Sequence, residues 1–244
     1  MRNPRIYQPY PLAVGKTITL DEGGSRHIGK VLRMQAGERL TLFNGEGGEF
    51  SANITEAGKK TVSVSIESKT EANKASPLAI HLGQVMSRGD RMDYAIQKSV
   101  ELGVETITPL YSHRCEVKLA PQRIEKRLQQ WRQQVIGACE QCGLNRVPVI
   151  NNPLSITAWC QQTTSERRFI LHPGDKTAKS LFQTEKKPVS VALAIGPEGG
   201  FDNDEISIAE QHHFQCLALG PRVFRTETAP VVMLSLLQYY WGDF

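Results

Sequence analysis

The chain has 244 residues, 40% of them apolar, enough for one large core or two modest ones. Its 29 Lys+Arg against 25 Asp+Glu leave a net charge of +4, a mildly basic balance that admits a nucleic-acid partner without requiring one. No apolar run approaches the roughly 20 residues that span a bilayer, and "MRNPRIYQPYP" at the start lacks a signal-peptide core, so no membrane partner and a cytoplasmic location are expected.

Up to about residue 72 the chain reads as short alternating segments with turn signals: "KTITL", "ERLTLFNGEGGEFSANI" and "KTVSVSIES". Thr61 to Ile66 alternate polar and apolar, and Asn44–Glu49 reads as a hairpin loop, so a small β-barrel over residues 1–72 is expected. Within it, "SRHIGKVLRM" reads as a short helix. Arg26, Lys30 and Arg33 fall at i, i+4 and i+7 on one face, with Ile28, Val31 and Leu32 on the other. Such a basic face is either simply solvated or an RNA contact. "KTEANKASP" (Lys69 to Pro77) is polar, ends in proline and reads as a linker.

Strands and helices then alternate through residues 73–244. Strand candidates are "LAIHLGQVM", "TITPLYS", "RVPVI", "RFILHP", "SVALAIGP" and "CLALGP". Helical patterns cover Arg91–Leu102, Pro121–Cys142, Leu154–Gln162, Asp204–His213 and Ala229–Trp241. In the longest, Ile124, Leu128, Trp131, Val135 and Cys139 recur at spacings of three and four, one buried face. Near-continuous apolar strands between helices predict an α/β domain with a parallel sheet covered on both faces. Lys98 and Glu101, one turn apart, either pair on a helix surface or serve the site. Glu140, Gln141, Asn145 and Arg146 read either as a pocket or dimer wall or as a C-cap around Gly143. The five cysteines are scattered and odd in number, as reduced thiols would be; Cys139-x-x-Cys142 reads as helix-end packing, and no metal site is expected.

"AIGPEGG" and "ALGPRVF" repeat one pattern: strand, Gly-Pro, loop, helix. If both strands are parallel, both loops leave one edge of the sheet, where ligands of such sheets bind, and the turn at Leu171, His172 and Pro173 opens there too. The first loop carries Glu198, Asp202, Asp204 and Glu205 and no Lys or Arg, a poor lining for phosphate. Asp202 with Glu205 forms a capping box, with Phe201 and Ile206 as its hydrophobic staple. The G-x-G-x-x-G spacing of dinucleotide sites is absent. A phosphate-free adenosine on a cationic centre suits the loop, which points to S-adenosylmethionine (SAM).

"IGPEGG", then "LGPRVFRTETA", with "QKSVELGV" upstream, resembles the RsmE-type uridine N3-methyltransferases of small-subunit (16S) ribosomal RNA, of the SPOUT class. The resemblance runs end to end: "PRIY", "HIGKVLRM", "QVMSRGDRMDYAIQKSVELGV", "ACEQCGLNRVPVI" and "LHP" occur in family order. It implies a PUA-like RNA-binding barrel over 1–72, a C-terminal SPOUT domain over 73–244 tied in a deep trefoil knot, and a homodimer. By the same resemblance, SAM rests on Ile195, Gly196 and Gly200 of one loop, on Leu219, Gly220, Val223, Phe224, Arg225, Thr228 and Ala229 of a second, and on Leu171 and His172 of a third. Phe224 stands where leucine is usual. With the family in view, Arg2 and Arg5 join Arg26, Lys30 and Arg33 as expected RNA contacts.

Uracil N3 is a weak imide acid, so a base, or a cation spreading the developing charge, aids its attack on a methyl group. Arg225 is the candidate cation; the alternative is an ion pair to Glu227 or Glu198 that shapes the loop. Glu198 either balances a sulfonium or fixes the loop, and Glu227 is a candidate base. For His172, packing or backbone bonding competes with proton transfer. Against the enzyme stand a SAM-binding RNA or ribosome-assembly module without methyl transfer and, disfavoured by the acidic loop, a nucleotide-dependent oxidoreductase.

Overall fold

A computed structural model describes residues 3–172 and 186–244, which fall into two compact units. Arg2 and Pro173 lie outside the described residues.

The first unit comprises Met1–Ala75 and Cys139–Val147. Strands β1 (Arg5–Tyr7), β2 (Thr17–Thr19), β3 (Arg39–Phe43), β4 (Glu49–Ala57) and β5 (Val62–Thr70) form one sheet in the order β1-β3-β4-β5-β2. The alternation seen in the sequence decides which side faces inward. Val62, Val64 and Ile66 of β5 are buried together with Leu40, Leu42, Phe50, Ala52 and Ile54 of the neighbouring strands. β1 carries no comparable pattern, yet it pairs in parallel with β3 and buries Ile6.

Helix α1 (Glu22–Arg26) is capped by Asp21, which accepts from the Gly24 N–H, and runs directly into a π-helical turn, His27–Leu32. This corrects the expected α-helical face: only Ile28 enters the core, while Val31 and Leu32 are exposed. The residues that end α3, Glu140 to Arg146, serve this unit structurally. Gly143 caps that helix at φ 95°, the Glu140 carboxylate accepts from the Tyr7 N–H (3.0 Å), and Asn145 donates to the Ala72 carbonyl (2.5 Å).

The second unit comprises Ser76–Ala138 and Pro148–Phe244. In chain order it holds β6 (Ala79–Val85), α2 (Asp90–Glu101), β7 (Thr106–Tyr111), α3 (Pro121–Cys142, its last turn belonging to the first unit), β8 (Val149–Ile150), β9 (Leu154–Ser155), α4 (Ile156–Gln162), β10 (Arg167–Leu171), β11 (Ser190–Ile195), α5 (Asn203–Gln211), β12 (Gln215–Leu217) and α6 (Thr228–Trp241). The strands are parallel throughout, in the order β12-β10-β11-β6-β7-β8, with β9 also against β7. The central pair, β6 and β11, buries nearly every residue, as a sheet covered on both faces must. Along α3, Leu128, Trp131, Val135 and Cys139 are buried at the spacings read from the sequence, and Ile124 is half-buried. Burial pushes the Cys139 thiol up to about 12, the opposite of a reactive thiolate. Lys98 and Glu101 pair on α2 at 2.7 Å.

Candidate functional site

β12, β10 and β11 are parallel neighbours, so the segments that follow them leave one edge of the sheet together. Between these segments lies a cavity of about 440 Å³, within the size range of small-molecule sites. Leu171 and His172 supply one wall, Ile195 to Phe201 a second, and Leu217 to Phe224 with Thr226 and Ala229 the third. Gly200 (φ 69°) and Gly220 (φ 80°) hold backbone conformations that side-chain-bearing residues rarely adopt, which lets both loops fold tightly at the rim.

Of the residues expected at the cofactor, Leu171, His172, Ile195, Gly196, Gly200, Leu219, Gly220, Val223, Phe224 and Ala229 all line the cavity. Arg225 and Thr228 do not. Arg225 is exposed, and its carbonyl accepts the N–H groups of Thr228 and Ala229, so its backbone starts α6. Its guanidinium pairs with neither carboxylate considered for it, among the described residues. Glu198 is held by Arg91 from the start of α2, and Glu227 Oε2 is buried without a partner. The His172 N–H donates to the Leu217 carbonyl (3.1 Å), the backbone role read as the alternative to proton transfer.

The acidic segment after Gly200 is consumed locally. Asp202 Oδ1 accepts from the Glu205 N–H (2.8 Å) and Glu205 Oε2 accepts from the Asp202 N–H (3.0 Å), completing the capping box. The same pair reaches the segment after β7: the His113 N–H donates to Glu205 Oε1 (2.8 Å), and His113 Nδ1 lies 3.0 Å from Asp202 Oδ2. Arg114, from that segment, donates to the Gly199 carbonyl (2.7 Å) and also lines the cavity. The loop of Gly196–Phe201 is therefore braced from α2 and from the end of β7.

A buried relay ties two of the walls together. Gln84, fully buried at the end of β6, donates through Nε2 to Thr226 Oγ1 (3.1 Å), and Thr226 Oγ1 donates to the Gly196 carbonyl (2.8 Å). A threonine hydroxyl has one proton, so its bond to Gly196 requires the amide nitrogen of Gln84 on its other side. Thr226 and Gly196 both line the cavity. Gln84 and Arg91 stand within "QVMSRGDRMDYAIQKSVELGV" and Arg114 follows it, none with a site role legible there; the crossover connections bring all three to this edge. Thr226 stands within "LGPRVFRTETA", and that stretch is the signal that singles it out.

The cavity suits SAM on three counts. Its walls are mostly backbone and apolar side chains, its glycines keep the rim open to a flat ring, and the capping carboxylates occupy the helix start that a phosphate would use.

The RNA residues divide. Arg26, Lys30 and Arg33 are exposed around the π-helical turn. Arg5 is not available: its side chain is buried, pairs with Glu49 at 2.5 Å, donates to the Leu144 carbonyl (3.3 Å) and lies 4.9 Å from the Phe43 ring centroid. A charge so placed braces the first unit and does not reach a ligand.

Two family models match: an RNA methyltransferase domain over residues 74–238 and an RNA methyltransferase PUA domain over residues 20–67. The ribosomal RNA small subunit methyltransferase E of Buchnera aphidicola (subsp. Schizaphis graminum) is 40% identical over 243 residues, covering 99% of this chain and 98% of its own length. The protein of that name from Bacillus subtilis is 29% identical, covering 87% and 86%. Among solved structures, a Legionella pneumophila protein with bound SAM superposes with a TM-score of 0.96 at 46% identity, covering both chains fully. The ribosomal RNA small subunit methyltransferase E of Neisseria gonorrhoeae, bound to S-adenosyl methionine, superposes with a TM-score of 0.91 at 38% identity, again over the whole of both chains.

Proposed function

The chain belongs to the family of ribosomal RNA small subunit methyltransferases E, and from that premise we propose that it moves a methyl group from SAM to N3 of a uridine in 16S ribosomal RNA. The observation that carries the reading is the cavity where three loops from adjacent parallel strands meet, on a chain that superposes fully on two SAM-bound relatives. When bound, SAM supplies a methyl group whose carbon–sulfur bond breaks as the carbon–nitrogen bond forms at N3.

The chain's own part is geometric first. Thr226, two residues after Phe224, is tied to Gly196 and to Gln84, which fixes one cavity wall against another, and holding reactants in line removes on the order of 7–11 kcal/mol of barrier. Arg225, exposed beside the cavity and free of Glu198 and Glu227, is the cation for the charge that develops on the uracil ring as its proton leaves. Glu198, tied to Arg91, holds the loop. Membership carries further expectations: the knot in the cofactor loops, a homodimer, a PUA-like RNA-binding domain over 1–72 with a methyltransferase domain over 73–244, and work in the cytoplasm where ribosomes are built.

Labelled methyl transfer to isolated small subunits tests the reading, with the modified base mapped by mass spectrometry. Label at uridine N3 is expected; SAM binding without incorporation would leave only a binding module. Arg225→Ala should lower turnover about 10²-fold, as loss of a charge-stabilising group does, with SAM affinity nearly unchanged.

A further inference from the structure

We propose that the π-helical turn His27–Leu32 is an RNA-docking knob in which Val31 and Leu32 press against an unpaired nucleotide while Arg26, Lys30 and Arg33 hold the flanking phosphates. This rests on the RNA methyltransferase reading and adds the contact chemistry of the first unit to it.

The turn is fixed on one side and bare on the other. Inward, Ser25 Oγ donates to the Leu20 carbonyl (3.0 Å) and accepts from the Val62 N–H (3.2 Å), and Ile28 is fully buried. A Cβ at Gly29 would lie 2.3 Å from the Gly58 carbonyl oxygen, so backbone presses on backbone there and no larger residue fits. Outward, Val31 is 63% exposed and Leu32 is 42% exposed.

The π geometry produces this split. In an α-helix, Ile28, Val31 and Leu32 would share one face and enter the core together. Here the Arg33 N–H bonds the Ile28 carbonyl, five residues back, which widens the turn and swings Val31 and Leu32 out of line with Ile28. Arg33 ends the turn at φ 53°, a left-handed conformation uncommon for a residue with a side chain. A wide turn and an unfavourable dihedral that together expose two aliphatic side chains are a pattern found where a surface is used.

Charge selects the occupant. From Arg26 to Gly37 the chain has three cations and no carboxylate; of the flanking carboxylates, Asp21 is spent capping α1 and Glu38 accepts from the Gln35 N–H, so the exposed charges that border the apolar pair within the turn are cations. Unstacked bases and ribose edges, flanked by phosphates, match an apolar tip with a basic rim.

The test uses the full chain with SAM, measuring affinity for extracted small-subunit ribosomal RNA against salt concentration. V31S/L32S should weaken binding about tenfold, from lost apolar burial, at an unchanged salt slope. Replacing Arg26, Lys30 and Arg33 by alanine should instead lower the slope by about 3. The conservative pair V31I/L32M should bind as the parent does, and because the side chains are exposed, SAM binding and melting should not change in any variant. Parent-like RNA affinity for V31S/L32S overturns the proposal. So does a loss seen with whole subunits and not with extracted RNA, which would make the partner a ribosomal protein, or a change in self-association, which would make it a second copy. Failure of the parent protein to methylate small subunits would instead strike the enzymatic reading, and is scored separately.

Discussion

β6 carries two polar residues three positions apart, half-buried His81 and fully buried Gln84, and they have opposite uses. His81 Nε2 sits 3.0 Å from Trp159 Nε1 and 2.8 Å from Thr108 Oγ1, which in turn accepts from Asn151 (3.0 Å). An indole N–H only donates, so Nε2 is the bare nitrogen and the ring is neutral. None of these four residues lines the cavity. Gln84 reaches the cavity walls through Thr226 and Gly196. Three residues along one strand therefore separate a network that holds the sheet from one that holds the cofactor loops, with function gathered at the carboxyl edge.

The sharpest way to break that division is at the larger network. Trp159 is 1% exposed, packs edge-on against His81 and tilted against Phe214, and closes on Gly83 so tightly that a Cβ there would meet it at 2.8 Å. Trp159→Ala should cost about 3–5 kcal/mol in denaturant unfolding, while SAM affinity, measured well below the melting range, stays near the parent value. A parallel loss of SAM affinity would erase the distinction.

Acid probes the same network next. Burial lowers the His81 pKa from 6.5 to about 4. Above pH 6.5 both folded and unfolded chains hold a neutral ring; between pH 6.5 and about 4 the unfolded chain takes a proton that the folded chain refuses. Stability should therefore fall with pH across that window, by on the order of 3 kcal/mol, and level off below it. His81→Gln, which keeps an acceptor for Trp159 and cannot titrate, should remove this component from the pH profile. A profile identical in the variant would mean that the ring takes up its proton equally in the folded and unfolded chains.

At the other network the effect moves from stability to binding. Thr226→Val leaves the Gln84 amide with the Val85 carbonyl (3.2 Å) as its one remaining acceptor and takes the hydroxyl donor from the Gly196 carbonyl, a cost of about 1–3 kcal/mol. Because both cavity walls hang on that hydroxyl, SAM affinity should fall about tenfold or more, and Thr226→Ser should restore it. Equal binding by the valine variant would show that the two loops are spaced by something else.

How much of this is legible in sequence follows from the range of the forces involved. The inward face of β5, the buried stripe of α3 and the capping box at Asp202 depend on neighbours a few residues away, and periodicity displays them. The convergence of three loops was visible because Gly-Pro twice follows an apolar strand. Arg5 reads as surface in the sequence because nothing local shows Glu49, Leu144 and Phe43 folded around its charge. The π-helical turn is invisible to a 3.6-residue period, which puts Val31 and Leu32 on the face of Ile28. Gln84, Arg91 and Arg114 reach the site through parallel crossovers, so the quoted stretch that holds the first two gives no sign of where they meet it. Arg225 and Thr228 belong to the right motif, yet neither lines the cavity, and the Arg225 carbonyl already accepts the N–H groups that start α6.

The smallest effect concerns Glu198 and separates two meanings of its charge. Its partner Arg91 is half-exposed, as it is itself, so the pair contributes at most about 1 kcal/mol to stability and less in high salt. If the pair is a brace, Arg91→Ala and Glu198→Gln both loosen the loop of Gly196–Phe201. SAM affinity then falls slightly and by similar amounts in the two variants. If the carboxylate instead attracts the sulfonium, removing Arg91 frees that charge and tightens SAM binding, while Glu198→Gln weakens it. The sign of the Arg91→Ala effect decides between them, and a brace predicts weakening. Arg114, which fixes the neighbouring Gly199 carbonyl from the far side, makes the brace redundant and keeps that weakening small.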